Sequence, residues 1–132
     1  MNINEYIAEL ETRIQSAAIV ASYIFNVDRK TEDLVFISGR IDFRDGSILD
    51  FKEFIMATDH GITKLKYGYN YRIDSEPLFR YDNALDPRAK ALPSYPHHKH
   101  ESDGKISVSN EIGLPEVLEE VESAIIRRRW QF

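Results

Sequence analysis

A chain of 132 residues and 15.3 kDa has room for one domain, and at that size roughly 70% of the unfolded surface is buried on folding. Its 42% apolar and 30% charged residues are those of an ordinary globular protein, and a net charge of −5 excludes a uniformly basic nucleic-acid binder. With no cysteine, disulfides, thiolate zinc sites and cysteine nucleophiles are excluded as well. No apolar run approaches the ~18 residues of a membrane span, and the start, Met1-Asn2-Ile3-Asn4-Glu5, lacks the basic region of a signal peptide. These features predict a cytoplasmic, single-domain protein.

The first segment reads as one long helix, Asn4 to Asn26. Ile3, Ile7, Leu10, Ile14, Ala17, Ala21 and Ile24 recur at spacings of four and three. Asn2 or Asn4 suits the cap, and Glu5 faces the helix dipole. The stripe fits two partners, a second copy in a homodimeric coiled coil or the protein's own sheet.

A strand follows over Leu34 to Phe43, with Val35, Ile37, Ile41 and Phe43 on one face. Arg44-Asp45-Gly46-Ser47 is a tight turn. The next strand, Ile48 to Met56, alternates Leu49, Phe51 and Ile55, with Glu53 on the same apolar face. After Asp59-His60-Gly61 comes Lys64 to Ile73. There Leu65, Tyr67, Tyr69, Tyr71 and Ile73 point one way and Lys64, Lys66, Gly68, Asn70 and Arg72 the other. A short strand over Leu78 to Asp82 puts Arg80 on the polar face.

Asn83 to Gly104 holds three prolines and no periodicity, so it is predicted as a long loop. Lys105 to Ser109 is a candidate edge strand. Leu114 to Trp130 is a second helix, with Leu114, Leu118, Val121 and Ile125 as its stripe and Arg127, Arg128 and Arg129 at its end. The predicted fold is α+β: a four- or five-stranded antiparallel meander with both helices on one face.

Charge is unevenly placed. Between Ile62 and His100 seven basic side chains stand against four acidic ones, +3, which leaves −8 on the rest. Three of the four histidines, His97, His98 and His100, lie in this basic island beside Lys99. Imidazoles titrate near neutrality and suit proton transfer.

Three readings fit this cluster. One is metal-independent, cofactor-free RNA cleavage, in which one histidine takes the 2′-hydroxyl proton, another protonates the leaving 5′-oxygen, and Arg80 or Lys99 neutralises the phosphorane. The second is a metal site of histidines with Asp82 or Glu53, although adjacent histidines in an extended loop point apart. In the third the rings cap the sheet by stacking on Tyr67, Tyr69 and Tyr71. Arg72 and Asp82 would orient the cationic groups, and Lys66, Asn83 and Tyr69 are further RNA or phosphate contacts. Glu53 is either a general base or the partner of a buried Arg or Tyr. His60 is expected to be solvated, and Arg127 to Arg129 with Trp130 either grip RNA or an acidic partner or match the helix dipole.

Phe79-Arg80-Tyr81-Asp82-Asn83-Ala84, then Tyr95-Pro96-His97-His98-Lys99-His100 and a Leu-Pro-Glu-Val-Leu helix start, resemble the TumE family of prokaryotic toxin–antitoxin systems. Tyr67-Gly68-Tyr69-Asn70-Tyr71 is similar to that family's tyrosine-rich strand. The resemblance runs from about Lys64 to Glu120. It implies a small toxin encoded beside a DNA-binding antitoxin, and ribonuclease activity by analogy of class. One departure is Leu85-Asp86-Pro87, where family members often carry Pro-His-His. The alternatives are a non-catalytic module that binds RNA or a partner protein, and a decayed, non-toxic relative.

Overall fold

The computed structural model describes residues 1–129. Seven strands form one open antiparallel sheet in chain order: β1 Val20–Arg29, β2 Leu34–Phe43, β3 Ser47–Thr58, β4 Gly61–Ile73, β5 Glu76–Asp82, β6 His98–Glu101 and β7 Ile106–Val108. Helix α1, Ile3–Ser16, precedes the sheet and α2, Leu114–Arg129, follows it. Trp130, the expected last residue of α2, lies outside the described residues.

The α+β meander is as predicted, but seven strands replace four or five, and both additions have physical causes. The expected helix ends at Ser16, with Ala17 already extended at φ −79° and ψ 117°. Beyond it Ile19, Val20, Tyr23, Ile24, Phe25 and Val27 are β-branched or aromatic, residues that fit a pleated surface better than a helix. β1 pairs with β2 from Val20↔Phe43 to Arg29↔Val35. The heptad spacing of Ala21 and Ile24 was therefore a coincidence, and Ile24 is 57% exposed. The second addition is β6, inside the segment expected to be loop, where His98 pairs with Asp82 and His100 with Arg80.

The apolar face of the sheet carries the core. Val35, Ile37, Ile41, Leu49, Phe51, Ile55 and the three tyrosines of β4 are buried with Ile3, Leu10 and Ile14 of α1 and Leu114, Val117, Leu118 and Val121 of α2. Both helices thus cover the same face. The α1 stripe is spent on this core, so a dimer zipped through that stripe is excluded. Asn2 caps α1, accepting from the Glu5 amide at 2.8 Å and donating to its carboxylate at 2.7 Å. At Gly39 an added Cβ would lie 2.4 Å from the Ile24 carbonyl and 2.6 Å from the Phe51 ring, so only glycine lets this ring cross β2.

A bulge in β4 changes the predicted alternation. Phe54 pairs with Lys66 but Ile55 pairs with Lys64, which leaves Leu65 as the extra residue. Lys64 therefore turns inward, not outward with Lys66 as expected, and Leu65 is 39% exposed. Among the described residues no helix is long and apolar enough to cross a membrane.

Candidate functional site on the outer sheet face

The outer face, away from the helices, gathers the polar residues of β3 to β6. Strand pairing sets two adjacent rows, Lys52–Gly68–Asp82–His98 and Asp50–Asn70–Arg80–His100. In a strand every second side chain shares a face, so His98 and His100 stand together beside Asp82. The loop prediction hid this, because adjacent loop histidines diverge whereas i and i+2 in a strand do not.

The three side chains are close-set. His98 Nε2 lies 3.1 Å from Asp82 Oδ1 and 3.1 Å from His100 Nε2, and His100 Nε2 lies 3.5 Å from Asp82 Oδ2. Arg80 Nε caps the same carboxylate at 2.9 Å, and the Ala84 amide donates to its other oxygen at 2.9 Å. His98 Nδ1 meets the Pro96 carbonyl at 2.7 Å. A carbonyl only accepts, so that nitrogen carries the proton.

Burial separates support from contact. The His98 side chain is 0% exposed and Asp82 4%, while His100 is 23% exposed and Arg80 48%. Burial lowers the His100 pKa below the ordinary histidine value; Asp82 pulls it up, but His98, Arg80 and Arg88 push it further down. The balance favours the neutral imidazole. The segment after β5 packs its short turn, Pro87–Ala89, against β7 and buries Ala89. Arg72 holds Asp50 at 2.8 Å and the Asp74 carbonyl at 2.7 Å.

Beside the cluster a groove of about 260 Å³ is lined by Asp50, Phe51, Lys52, Gly68, Asn70 and Arg80. Gly68 adds no side chain to it; a Cβ there would sit 3.4 Å from the Lys52 side chain, in ordinary van der Waals contact. Lys52 and Gly68 escaped the sequence reading, although a glycine on the polar face of an otherwise regular strand was the available signal. Lys66 is exposed on the same outer face.

Four other expected residues lie elsewhere. His97 turns to the helix side, its ring stacked on Tyr67 at 5.8 Å and its Nδ1 2.8 Å from the tyrosine hydroxyl. Lys99 also points inward, paired with Glu120 at 3.0 Å above the Phe79 and Tyr81 rings. Burial alone would lower the Lys99 pKa, and the ion pair with Glu120 carries it above the lysine value. Tyr69 is 0% exposed, which removes it from any contact with RNA. The Asn83 side chain accepts from the Tyr67 amide at 3.0 Å and donates to the Leu65 carbonyl at 3.1 Å, which closes the bulge in β4.

Glu53, fully buried, is the partner of buried tyrosines. It accepts from the Tyr6 hydroxyl and, at 2.5 Å, from Tyr69, with Lys64 Nζ 4.0 Å away. Burial and the Glu53 charge raise both tyrosine pKa values, so both hydroxyls stay protonated donors. His60 is exposed in its turn, as expected.

The family model described as Toxin TumE matches residues 8–128. The chain belongs to the TumE toxin family. The match takes in β1 to β7 and both the Asp82–His98–His100 cluster and the Gly68 groove. No curated protein and no solved structure matches the chain. Membership in a toxin family implies an antitoxin partner in general.

Proposed function

We propose that this TumE-family toxin cleaves RNA on the outer face of its sheet, by acid–base chemistry that needs no metal, and that a DNA-binding antitoxin encoded beside it restrains it. The observation that supports this reading is a single accessible imidazole, His100, held against a buried carboxylate beside a half-exposed arginine and a groove. His100 Nε2–H faces His98 and Asp82, which leaves the Nδ1 lone pair as the base. It takes the 2′-hydroxyl proton, and the 2′-oxygen attacks phosphorus. Arg80 and Lys52 neutralise the charge that builds on the phosphoryl oxygens. The P–O5′ bond breaks, and the proton passes from His100 to the departing 5′-oxygen. The products are a 2′,3′-cyclic phosphate and a 5′-hydroxyl.

The two-histidine scheme contracts to one, because His97 lies across the sheet and His98 has no exposed surface. His98 and Asp82 become positioning residues. The departure at Leu85-Asp86-Pro87 leaves this cluster complete, since none of its members comes from those positions.

The test is incubation of purified protein with RNA and with the DNA of the same sequence, in EDTA. Wild type should cut RNA alone, since DNA lacks the 2′-hydroxyl. His100→Ala should slow cleavage by about 10²–10⁴, and Arg80→Ala by about 10²–10³. RNA left intact by wild type, or cut equally by His100→Ala, sinks the reading. Binding of RNA unchanged in His100→Ala, with no cleavage by either protein, would leave the non-catalytic module in its place.

A further inference from the structure

Asp82, His98 and His100 bring one potential ligand atom each to within 4.8 Å of one another. His98 gives its one neutral-state proton, on Nδ1, to the Pro96 carbonyl, so its Nε2 points an electron pair into the cluster. That pair meets Asp82 Oδ1, itself an acceptor, at 3.1 Å, and His100 Nε2 at 3.1 Å. Two imidazole nitrogens and a carboxylate thus converge on one point, each also held from outside the cluster or partly open to solvent. Such an arrangement is satisfied by a cation at its centre.

The dimensions fit. Three ligands about 2.0–2.2 Å from one ion, in tetrahedral or facial octahedral geometry, are about 2.8–3.6 Å from one another. The two imidazole nitrogens are 3.1 Å apart, and the Asp82 carboxylate approaches His98 through Oδ1 at 3.1 Å and His100 through Oδ2 at 3.5 Å, so a small shift brings one oxygen to both. The donor set of two imidazoles and a carboxylate suits zinc, iron, cobalt or nickel rather than calcium or magnesium. The outer contacts are those a ligand set needs: His98 is oriented through Nδ1–H by a backbone carbonyl, and Asp82 by the Ala84 amide. All three ligands stand on paired strands, so no loop has to close to assemble them. Arg80 supplies positive charge to Asp82 at 2.9 Å and is 48% exposed, free to withdraw to solvent when an ion takes over.

We infer that Asp82, His98 and His100 form a binding site for one divalent transition-metal ion. The consequence for the chemistry rests on the ribonuclease reading above. An ion on His100 Nε2 forces the ring proton onto Nδ1, the nitrogen that must accept the 2′-hydroxyl proton. The metal-loaded protein is then switched off, and metal removal switches it on.

The test uses the full-length protein, stripped with EDTA, desalted and titrated with zinc chloride against a chromophoric chelator. Wild type should bind one zinc per chain, and His100→Ala and Asp82→Asn should each weaken it at least tenfold. His60→Ala, at an exposed histidine far along the chain, should bind as wild type does. Circular dichroism accompanies each variant, and the partly exposed His100 decides the outcome if Asp82→Asn does not fold. Cobalt(II) substitution should give visible absorption bands that zinc abolishes. No one-to-one binding, or equal affinity in His100→Ala, overturns the site. RNA cleavage is then followed at zinc saturation. Cleavage undiminished by bound zinc overturns the placement of the ion on His100. Failure to cut RNA in EDTA counts against the ribonuclease reading alone, because the titration and the cobalt spectrum involve no RNA.

Discussion

Asn83 shows how a residue can be conspicuous in the sequence for one reason and occupy its place for another. It stands in the Asp-Asn-Ala stretch and reads as a phosphate contact, yet both ends of its amide are occupied by backbone groups of β4. Asn83→Ala leaves the Tyr67 amide and the Leu65 carbonyl without those partners. It should cost about 1–3 kcal/mol in urea unfolding, with RNA affinity per folded molecule unchanged. A selective loss of RNA binding at full stability would restore the phosphate role. Arg80 is the converse case, predicted by alternation alone and found on the predicted face. His98 and His100 stand out in the sequence by composition, but their close approach to Asp82 depends on a cross-strand pairing that no local window of sequence encodes.

At the level of elements, the legible parts were those with a strict period. β2, β3 and β4 appear within a few residues of their predicted bounds because one face is buried and alternation persists over eight or more residues. The failures have two physical sources. A helical spacing ran on by chance into residues whose β-branching favoured a strand, and β6 is too short, at four residues, for a period to show. The bulge at Leu65 is a third, since one extra residue reverses the facing of everything before it.

That reversal buries Lys64, 9% exposed, against Glu53 at 0%, with Nζ bonded to the Tyr69 hydroxyl at 2.9 Å and the Ile112 carbonyl at 2.6 Å. Lys64→Ala strands a buried carboxylate, for which about 3–5 kcal/mol is typical. Lys66→Ala, two residues away and exposed, should change stability by less than about 0.5 kcal/mol. Equal effects in chemical denaturation would show that Lys64 does not face the core.

Across the whole molecule, the two helices close one face of the sheet, and the C-terminal end of α2 is tied to the β2–β3 turn. Arg128 holds Asp45 at 2.7 Å and reaches the Tyr71 hydroxyl at 2.5 Å. Burial alone would raise the Asp45 pKa, but hydrogen bonds from Ser47 and Arg128 bring it below the ordinary carboxylate value. A carboxylate depressed in the folded state binds its proton more readily when unfolded. Its contribution is therefore complete above about pH 4 and fades as the pH falls through the folded value. Asp45→Asn should lower the melting temperature at pH 7 and narrow its gap to wild type as the pH drops toward 3. A gap that widens on acidification would reverse the sign.

The seven strands are not fastened equally. The β3–β4 ladder pairs twelve residues, whereas β5–β6 pairs four and β6–β7 three. His98 and His100 thus sit on the part of the sheet with the least to lose by opening, next to a free edge. In amide hydrogen exchange, such a margin opens at a lower free energy than the centre and independently of it. Peeling it back dismantles the cluster while the helices and the first five strands stay folded. Whatever binds the cluster, ion or nucleic acid, adds its binding free energy to the closed form of this margin first. The histidines of the Asp82–His98–His100 cluster thus rest on a piece of sheet that a partner could detach without unfolding the rest.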